Sequence, residues 1–313
     1  MTNLPSPDRP LRIGTRGSPL ALAQAHETRD RLMAAHDLPA DAVEVVVIKT
    51  TRDRVLDRPL GEIGGKGLFT REIEDALLAG DIDIAVHSMK DMPVEQPSGL
   101  TLDTYLPRED VRDAFVALDG GWLADLPQGA VVGTSSLRRR AQLLHRRPDL
   151  QVVEFRGNVQ TRLRKLADGV AQATFLAMAG LNRLQMGDRV PHTAIEADDM
   201  LPAVAQGAIG IERREADEAT SALLVPLHDR DTGLRLAAER AFLAVLDGSC
   251  QTPIGGLAEL TGGRLLLRGE IIRPDGSESL TTEAEGAIND GAAMGAAAAA
   301  ELRGRAGPGF FDS

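Results

Sequence analysis

The stretch that decides the fold is Leu11-Arg12-Ile13-Gly14-Thr15-Arg16-Gly17-Ser18-Pro19-Leu20, and its pattern returns in Ala130-Val131-Val132-Gly133-Thr134-Ser135-Ser136-Leu137. In each copy an apolar run predicts a strand, Gly-Thr predicts a tight turn, and serine predicts the N-cap of a helix. Proline favours the first helical position, so the first helix should begin near Pro19. The second copy, capped by one of its two serines, predicts a helix over 137–146.

Each copy of the pattern is a candidate anion-binding site. A helix N-terminus presents free backbone N–H groups and the positive end of the helix dipole to a bound anion. Arginine accompanies both turns, as Arg16 in the first copy and as Arg138, Arg139 and Arg140 in the second. A guanidinium group can bind a carboxylate or phosphate through two charge-assisted hydrogen bonds. The chain is therefore predicted to hold two related anion-binding α/β units.

The surrounding sequence continues the alternation of strands and helices. Apolar spacing predicts a helix over 68–78 with Gly80 as its C-terminal glycine. Residues 82–86 predict a buried strand, followed at once by the polar loop 87–93. Such alternation is typical of mostly parallel sheets, whose ligands lie beyond the carboxyl ends of the strands. The polar loop falls at such an end.

Two polar segments, at which the chain is expected to cross from one domain to the next, divide it into three predicted domains. The crossings lie at 107–110 and around 196–201. Apolar spacing over 234–245 then predicts an amphipathic helix, followed by a strand-like run at 264–273 and an alanine-rich terminal helix. The predicted domains are residues 1–106 with 201–219, residues 107–200, and residues 220–313.

Composition excludes several classes of protein. The 313 residues include 35 Lys and Arg against 46 Asp and Glu, and a net charge of −11 argues against a surface that binds nucleic acid or a membrane. The histidines form no metal-binding pair, so no metal site is predicted. A single cysteine excludes an intrachain disulfide and fits a reducing compartment. Because neither a signal peptide nor a membrane span is evident, we expect a cytoplasmic protein.

The acidic total conceals a basic segment between residues 130 and 166. Nine bases and two acids give this segment a net charge of +7. The bases at turns are predicted to bind anions: Arg138, Arg139, Arg156 and Arg162. Four others are predicted to lie on solvated helix faces: Arg146, Arg147, Arg164 and Lys165. With aromatic residues at only 3%, a small polyanion suits this segment better than DNA does.

Two residues are ambiguous on their chemistry alone. Asp91 follows Lys90 at a strand end, where a surface ion pair or a turn aspartate is commoner than a catalyst. Cys250 could be an inert small hydrophobe, but Gly248-Ser249-Cys250-Gln251-Thr252-Pro253 is a loop sequence that would expose its thiol. The residues alone therefore indicate a two-lobed anion-binding protein with a candidate nucleophilic cysteine.

From about residue 11 to residue 275, the chain resembles the porphobilinogen deaminase family, also called hydroxymethylbilane synthase. The motifs that carry the resemblance occur in order along the chain at 13–21, 64–69, 85–91, 132–139, 156–163, 179–184, 202–208 and 248–255. The resemblance implies an α/β fold with two periplasmic-binding-protein-like lobes around a cleft, with mostly parallel sheets, plus a small C-terminal α/β domain. It also implies that a dipyrromethane cofactor, held by Cys250 through a thioether, accepts four porphobilinogen units with release of ammonia before hydrolysis frees hydroxymethylbilane.

The resemblance also implies a role for each residue that matches a family motif. Asp91 matches the catalytic aspartate, which also contacts the cofactor. The other cofactor-binding positions are Lys90, Thr134, Ser136, Arg138 and Arg139. The substrate-binding positions are Arg16, Ser18, Lys66, Phe69, Arg156, Arg162, Arg183 and Gln206. The implied partner is porphobilinogen alone, and the implied oligomeric state is a monomer.

Three positions depart from the family pattern. Arg52 and Ala205 stand where glycine is common, and Arg140, which extends an arginine pair, is expected on the solvent side of its helix. An alternative function is a non-catalytic two-lobed protein that binds or senses anions. A domain carrying Cys250 counts against that alternative, because simple binding does not require it.

Overall fold

The computed structural model describes residues 4–50, 70–246 and 252–312. The chain forms two units, of which the first contains 1–108 and 208–233 and the second contains 109–207 and 234–313. The predicted division into three domains, with its boundaries, stays a prediction.

The described residues alternate between strands and helices over most of their length. The strands are β1 (Leu11–Thr15), β2 (Val43–Val47), β3 (Ile84–Ser88), β4 (Leu100–Tyr105), β5 (Asp113–Ala117), β6 (Val131–Gly133), β7 (Gln151–Val153), β8 (Ala173–Ala177), β9 (Thr193–Ile195), β10 (Ile209–Arg214), β11 (Ile254–Thr261), β12 (Arg264–Ile272) and β13 (Ser279–Ala287). The α-helices are α1 (Pro19–His36), α2 (Arg71–Ala79), α3 (Leu137–Arg146), α4 (Val159–Ala167), α5 (Met178–Arg183), α6 (Glu218–Leu224), α7 (Arg230–Val245) and α8 (Gly291–Ala306).

Two five-stranded sheets share one topology. The first unit has the strand order β2-β1-β3-β10-β4, and the second unit has the order β7-β6-β8-β5-β9. In each sheet four strands run in one direction, and only the fourth strand of the order, β10 or β5, runs against them. The second unit also contains the antiparallel sheet β11-β12-β13, against which α8 packs. The predicted α/β class, with two mostly parallel sheets and a smaller C-terminal sheet-and-helix layer, is confirmed.

Glycine in the repeated pattern makes room for a neighbouring core side chain. A Cβ on Gly14 would lie 2.2 Å from Cδ1 of Ile82, and a Cβ on Gly133 would lie 2.3 Å from the ring of Phe155. Both Ile82 and Phe155 are almost fully buried, so neither side chain can move aside without opening a cavity. The pattern therefore specifies the packing of each sheet as well as its turn.

Two predicted elements differ from the observed ones. The helix predicted over 68–78 begins at Arg71, although residues 68–69 lie outside the described part of the chain, and it ends as predicted before Gly80, whose φ is +78°. The strand predicted over 82–86 lies at 84–88 instead. His87 and Ser88 join the strand because they pair with Gly210 and Ile209 of β10. These partners in β10 are more than 120 residues away along the chain, so the local apolar pattern could not predict the pairing.

Ala205 has a left-handed backbone, with φ +61°. This conformation costs an L-residue other than glycine about 1–2 kcal/mol. The alanine is held there because its N–H donates to Oε2 of the buried Glu239 at 2.7 Å.

We expect Ala205→Gly to change the free energy of unfolding by less than about 0.5 kcal/mol, since relief of backbone strain is offset by the entropy that glycine adds to the unfolded chain and by the loss of a buried methyl group. Urea denaturation measures this change. Ala203→Gly is the control, because the φ of Ala203 is not positive. This variant should lower the free energy of unfolding. Equal losses in both variants would contradict the strain at Ala205.

Candidate active site

In the first unit, the turn between β1 and α1 forms a capped helix N-terminus. Oγ of Ser18 accepts a hydrogen bond from the N–H of Ala21 at 3.2 Å, and Pro19 occupies the first turn of α1. Thr15, the last residue of β1, is fully buried and donates through Oγ1 to the carbonyl of Ala21 at 3.2 Å. The predicted cap and helix start are confirmed.

A pocket in the first unit brings together three of the predicted site residues, Arg16, Ser18 and Asp91. Among the described residues, the lining consists of Arg16, Ser18, Leu20, Ala21, Gln24, Thr70, Val86, His87, Ser88, Asp91 and Met92. Asp91 ends a single 3₁₀ turn that directly follows β3, so the strand places its carboxylate at the pocket. Lys90 lies in the same turn and is half-buried, but it does not line the pocket.

Two polar pairs contribute side chains to the pocket wall, the first part-buried and the second buried. Gln24 of α1 and Ser88 of β3 are joined by a hydrogen bond of 2.8 Å from Nε2 to Oγ. On β3, Nε2 of His87 lies 3.0 Å from Oε2 of Glu212, which belongs to β10 and is fully buried. Near this second pair, burial raises the pKa of Glu74, and the charge of Glu212 raises it further, although a hydrogen bond with Thr70 opposes the shift. Neither pair was predicted from the sequence.

In the second unit, the repeated pattern forms the equivalent turn between β6 and α3. Ser136 is the N-cap, and its Oγ accepts from the N–H of Arg139 at 3.4 Å. Oγ1 of Thr134 accepts from the N–H of Ser136 at 3.2 Å, while Oγ of Ser135 accepts from the N–H of Phe155 at 3.0 Å. The predicted helix over 137–146 is confirmed, and of the two candidate serines Ser136 is the cap. Arg140 is exposed, as predicted.

The side chains of Arg138 and Arg139 converge on one fully buried carboxylate, Asp113 of β5. Nη1 of Arg138 donates to Oδ2 at 2.8 Å, and Nη2 of Arg139 donates to Oδ1 at 2.7 Å. Both guanidinium groups are themselves buried, with side-chain exposures of 4% and 7%. Burial alone would raise the pKa of Asp113, but the charges of Arg138 and Arg139 outweigh burial and hold that pKa well below its usual range. The carboxylate is therefore ionised and fixes both arginines.

Gln206 joins the same cluster. Its Nε2 donates to Oδ1 of Asp113 at 2.9 Å and to the carbonyl of Val111 at 2.8 Å, and the residue is 1% exposed. Asp113 was missed because a lone acid before an apolar run looks like a turn residue. The available signal was the excess of arginine downstream, since buried guanidinium groups require a carboxylate partner.

The three remaining arginines predicted to bind substrate have carbonyl or carboxylate partners, and two of them, Arg162 and Arg183, bond to residues at or next to this cluster. Nη1 of Arg162 donates to the carbonyl of Phe175 at 3.4 Å, and the same carbonyl accepts from Arg139 at 3.0 Å. Nη2 of Arg183 donates to the carbonyl of Gly207 at 3.0 Å. Arg156 pairs with Glu154, with 2.6 Å between Nε and Oε1.

Several predicted residues lie outside the described part of the chain: Arg52, Lys66, Phe69 and Cys250. Within residues 4–50, 70–246 and 252–312, no group of three or more His, Cys, Asp or Glu side chains is placed to hold a metal ion. Over the same ranges, no helix has the length and hydropathy needed to cross a bilayer.

Family comparisons match almost the whole chain. The model described as "Porphobilinogen deaminase, dipyromethane cofactor binding domain" matches residues 11–222, and "Porphobilinogen deaminase, C-terminal domain" matches residues 234–304. The chain belongs to the porphobilinogen deaminase family. The family resemblance seen in the sequence motifs is thereby confirmed, as is the assignment of a dipyrromethane cofactor.

Individual relatives agree with this assignment. The porphobilinogen deaminase of Paracoccus denitrificans (strain Pd 1222) is 72% identical over 312 residues, covering 100% of this chain and 99% of that protein. The chloroplastic porphobilinogen deaminase of Pisum sativum is 57% identical, covering 97% of this chain and 84% of the relative. Among solved structures, a periplasmic binding protein of Salmonella typhimurium with high arginine specificity has a TM-score of 0.40 at 14% identity, covering 69% of this chain and 91% of that chain.

Proposed function

We propose that the chain condenses four porphobilinogen units head to tail on a dipyrromethane cofactor, releases ammonia at each addition and hydrolyses off hydroxymethylbilane. The observation that carries this proposal is the pocket of the first unit, where Asp91 lies with Arg16 and Ser18. Each porphobilinogen carries an acetate and a propionate, which suit a guanidinium group and a helix N-terminus. Its amine, which leaves as ammonia, suits a neighbouring carboxylate.

Asp91 has two tasks in this proposal. Departure of ammonia leaves a cation delocalised over the substrate's pyrrole ring, and a fixed carboxylate stabilises the developing charge. After the new carbon–carbon bond forms, the same carboxylate accepts a proton from the ring. The backbone on both sides of Asp91 is constrained, because Gln24 holds Ser88 and because Met92 is buried and its N–H donates to the carbonyl of Met89.

The second unit offers donors that fit the carboxylates of the cofactor. Nε of Arg138 is buried and finds no acceptor among the described residues, so this guanidinium keeps a donor for another oxygen. When bound, the cofactor supplies the pyrrole carbon to which the first substrate ring is joined. We assign to it Lys90, Thr134, Ser136, Arg138 and Arg139, with Cys250 as the covalent anchor. We assign to substrate Arg16, Ser18, Lys66, Phe69, Arg156, Arg162 and Arg183. Gln206 was also predicted to bind substrate, and we assign it to the support of Asp113, to which its amide donates.

Mass spectrometry of the intact protein tests the anchor. The purified protein should be heavier than its 33.3 kDa polypeptide by two linked pyrrole units and should release ammonia from porphobilinogen. The variant Cys250→Ser should have the mass of the bare chain, because a hydroxyl is a far weaker nucleophile than a thiolate. Ser249→Ala is the matched control and should keep the added mass. A wild-type protein with the bare mass and no ammonia release would instead support the binding-protein alternative.

We also propose that the protein is a cytoplasmic monomer with no nucleic-acid or membrane partner. A formal charge of −11 disfavours both polyanionic partners. Light scattering during size-exclusion chromatography should give a mass near 33.3 kDa.

A further inference from the structure

A chain of buried hydrogen bonds runs from the C-terminal sheet to the arginine cluster of the second unit. It starts at Glu270 of β12, whose Oε1 accepts from Oγ of Ser279 at 2.8 Å. Oε2 of the same carboxylate accepts from Nε2 of Gln142 at 2.7 Å. The other end of that amide, Oε1 of Gln142, accepts from Nη1 of Arg138 at 2.9 Å. From there Nη1 reaches Asp113.

The orientation of the Gln142 amide is fixed by its neighbours. Its carbonyl must face Arg138, which can only donate, and its NH₂ group must face Glu270, which as a carboxylate can only accept. The carbonyl of Leu201 strengthens this arrangement, because it accepts from Nε2 of Gln142 at 2.9 Å and lies 3.0 Å from Nη1 of Arg138. The two hydrogens of that Nη1 are shared among Leu201, Asp113 and Gln142. Gln142 is fully buried, so no water can replace a lost partner at low cost.

Charge in this cluster is balanced. Two guanidinium groups, Arg138 and Arg139, lie with two carboxylates, Asp113 and Glu270, and the four residues are between 0% and 7% exposed. A buried charge is tolerated when it is paired and hydrogen-bonded. Glu270 thus supplies the second negative charge from a different sheet, through an amide that has only one satisfied orientation.

We propose that Glu270 is a positioning residue for the cofactor site: it fixes the amide of Gln142 and, through it, the side chain of Arg138. This inference rests on the proposed role of Arg138 in cofactor binding. It assigns to the C-terminal sheet a function in the chemistry of the second unit.

Cofactor loading tests the proposal. Protein made in cells that cannot supply porphobilinogen is mixed with porphobilinogen, and the gain in intact mass is followed with time. Glu270→Gln keeps the shape of the side chain but removes its negative charge, so, among the described residues of the cluster, Asp113 is the one carboxylate left for two buried guanidinium groups. We expect loading to slow by about tenfold, because a displaced Arg138 would hold the reacting groups in a poorer geometry, and such reactions slow steeply when a binding group moves. Glu270→Asp keeps the charge but withdraws it by one methylene, and should slow loading by at least about threefold.

Ser279→Ala is the matched control, since it removes a hydrogen bond from the same carboxylate on the side away from Gln142. It should load within about twofold of wild type, even if its thermal midpoint falls as far as that of Glu270→Gln. Wild-type loading rates in both Glu270 variants would overturn the proposal, and so would equal slowing in Ser279→Ala. If wild-type protein itself gained no mass, the proposed function would fail instead.

Discussion

Asp91→Asn should fold, carry the cofactor and turn over porphobilinogen about 10³-fold more slowly than wild type. General acid–base catalysis by a positioned side chain contributes about 10²–10⁴-fold, and an amide can neither accept the ring proton nor neutralise a cation. The change is nearly isosteric, and Asp91 lies at the pocket rather than in the core. Steady-state release of ammonia measures the loss, and intact mass measures the retained cofactor.

Asp81→Asn provides the control for Asp91. Asp81 is an exposed carboxylate just before the opposite end of β3, away from the pocket-lining residues. This variant should keep wild-type turnover and thermal stability. If Asp91→Asn kept more than about a tenth of wild-type turnover, proton transfer by Asp91 could not supply the rate enhancement of about 10²–10⁴-fold that general acid–base catalysis contributes.

Local signals in the sequence predicted the parts of the site that depend on a few consecutive residues. The caps Ser18 and Ser136 and the helices that follow them lie where the serine and proline positions placed them. An N-cap bond joins residues three apart, so its signal is contained in a short window. The same holds for Gly80, which ends α2 in the left-handed conformation.

Pairs that are distant along the chain could not be predicted in this way. His87 and Glu212 are 125 residues apart, and Gln142 and Glu270 are 128 residues apart. Each partner alone looks like an ordinary polar residue in a strand or helix, because its burial is decided by which strands become neighbours. The excess of arginine in α3 is visible in the sequence, but the carboxylate of Asp113 that binds Arg138 and Arg139 became evident only with the sheet.

Asp113→Asn should lower the free energy of unfolding by about 3–5 kcal/mol, the range for breaking a buried ion pair by removing one partner. The variant leaves two buried guanidinium groups without a negative charge between them, and one side of the new amide presents N–H groups to an arginine that can only donate. Urea denaturation at neutral pH measures the loss. Glu285→Gln is the control, because Glu285 also pairs with an arginine, Arg264, but both side chains are more than half exposed, at 55% and 57%. An exposed pair of this kind is worth about 0–1 kcal/mol.

The destabilisation caused by Asp113→Asn should also depend on pH. The pKa of Asp113 is lower in the folded state than the usual value of 3.8, so its stabilisation is complete above pH 3.8 and is lost as the pH falls through the folded pKa. The difference in unfolding free energy between wild type and Asp113→Asn should therefore stay constant from pH 7 to about pH 5 and shrink below about pH 4. A difference that grew on acidification, or a loss below about 1 kcal/mol at neutral pH, would contradict an ionised Asp113 as the charge that holds the two arginines.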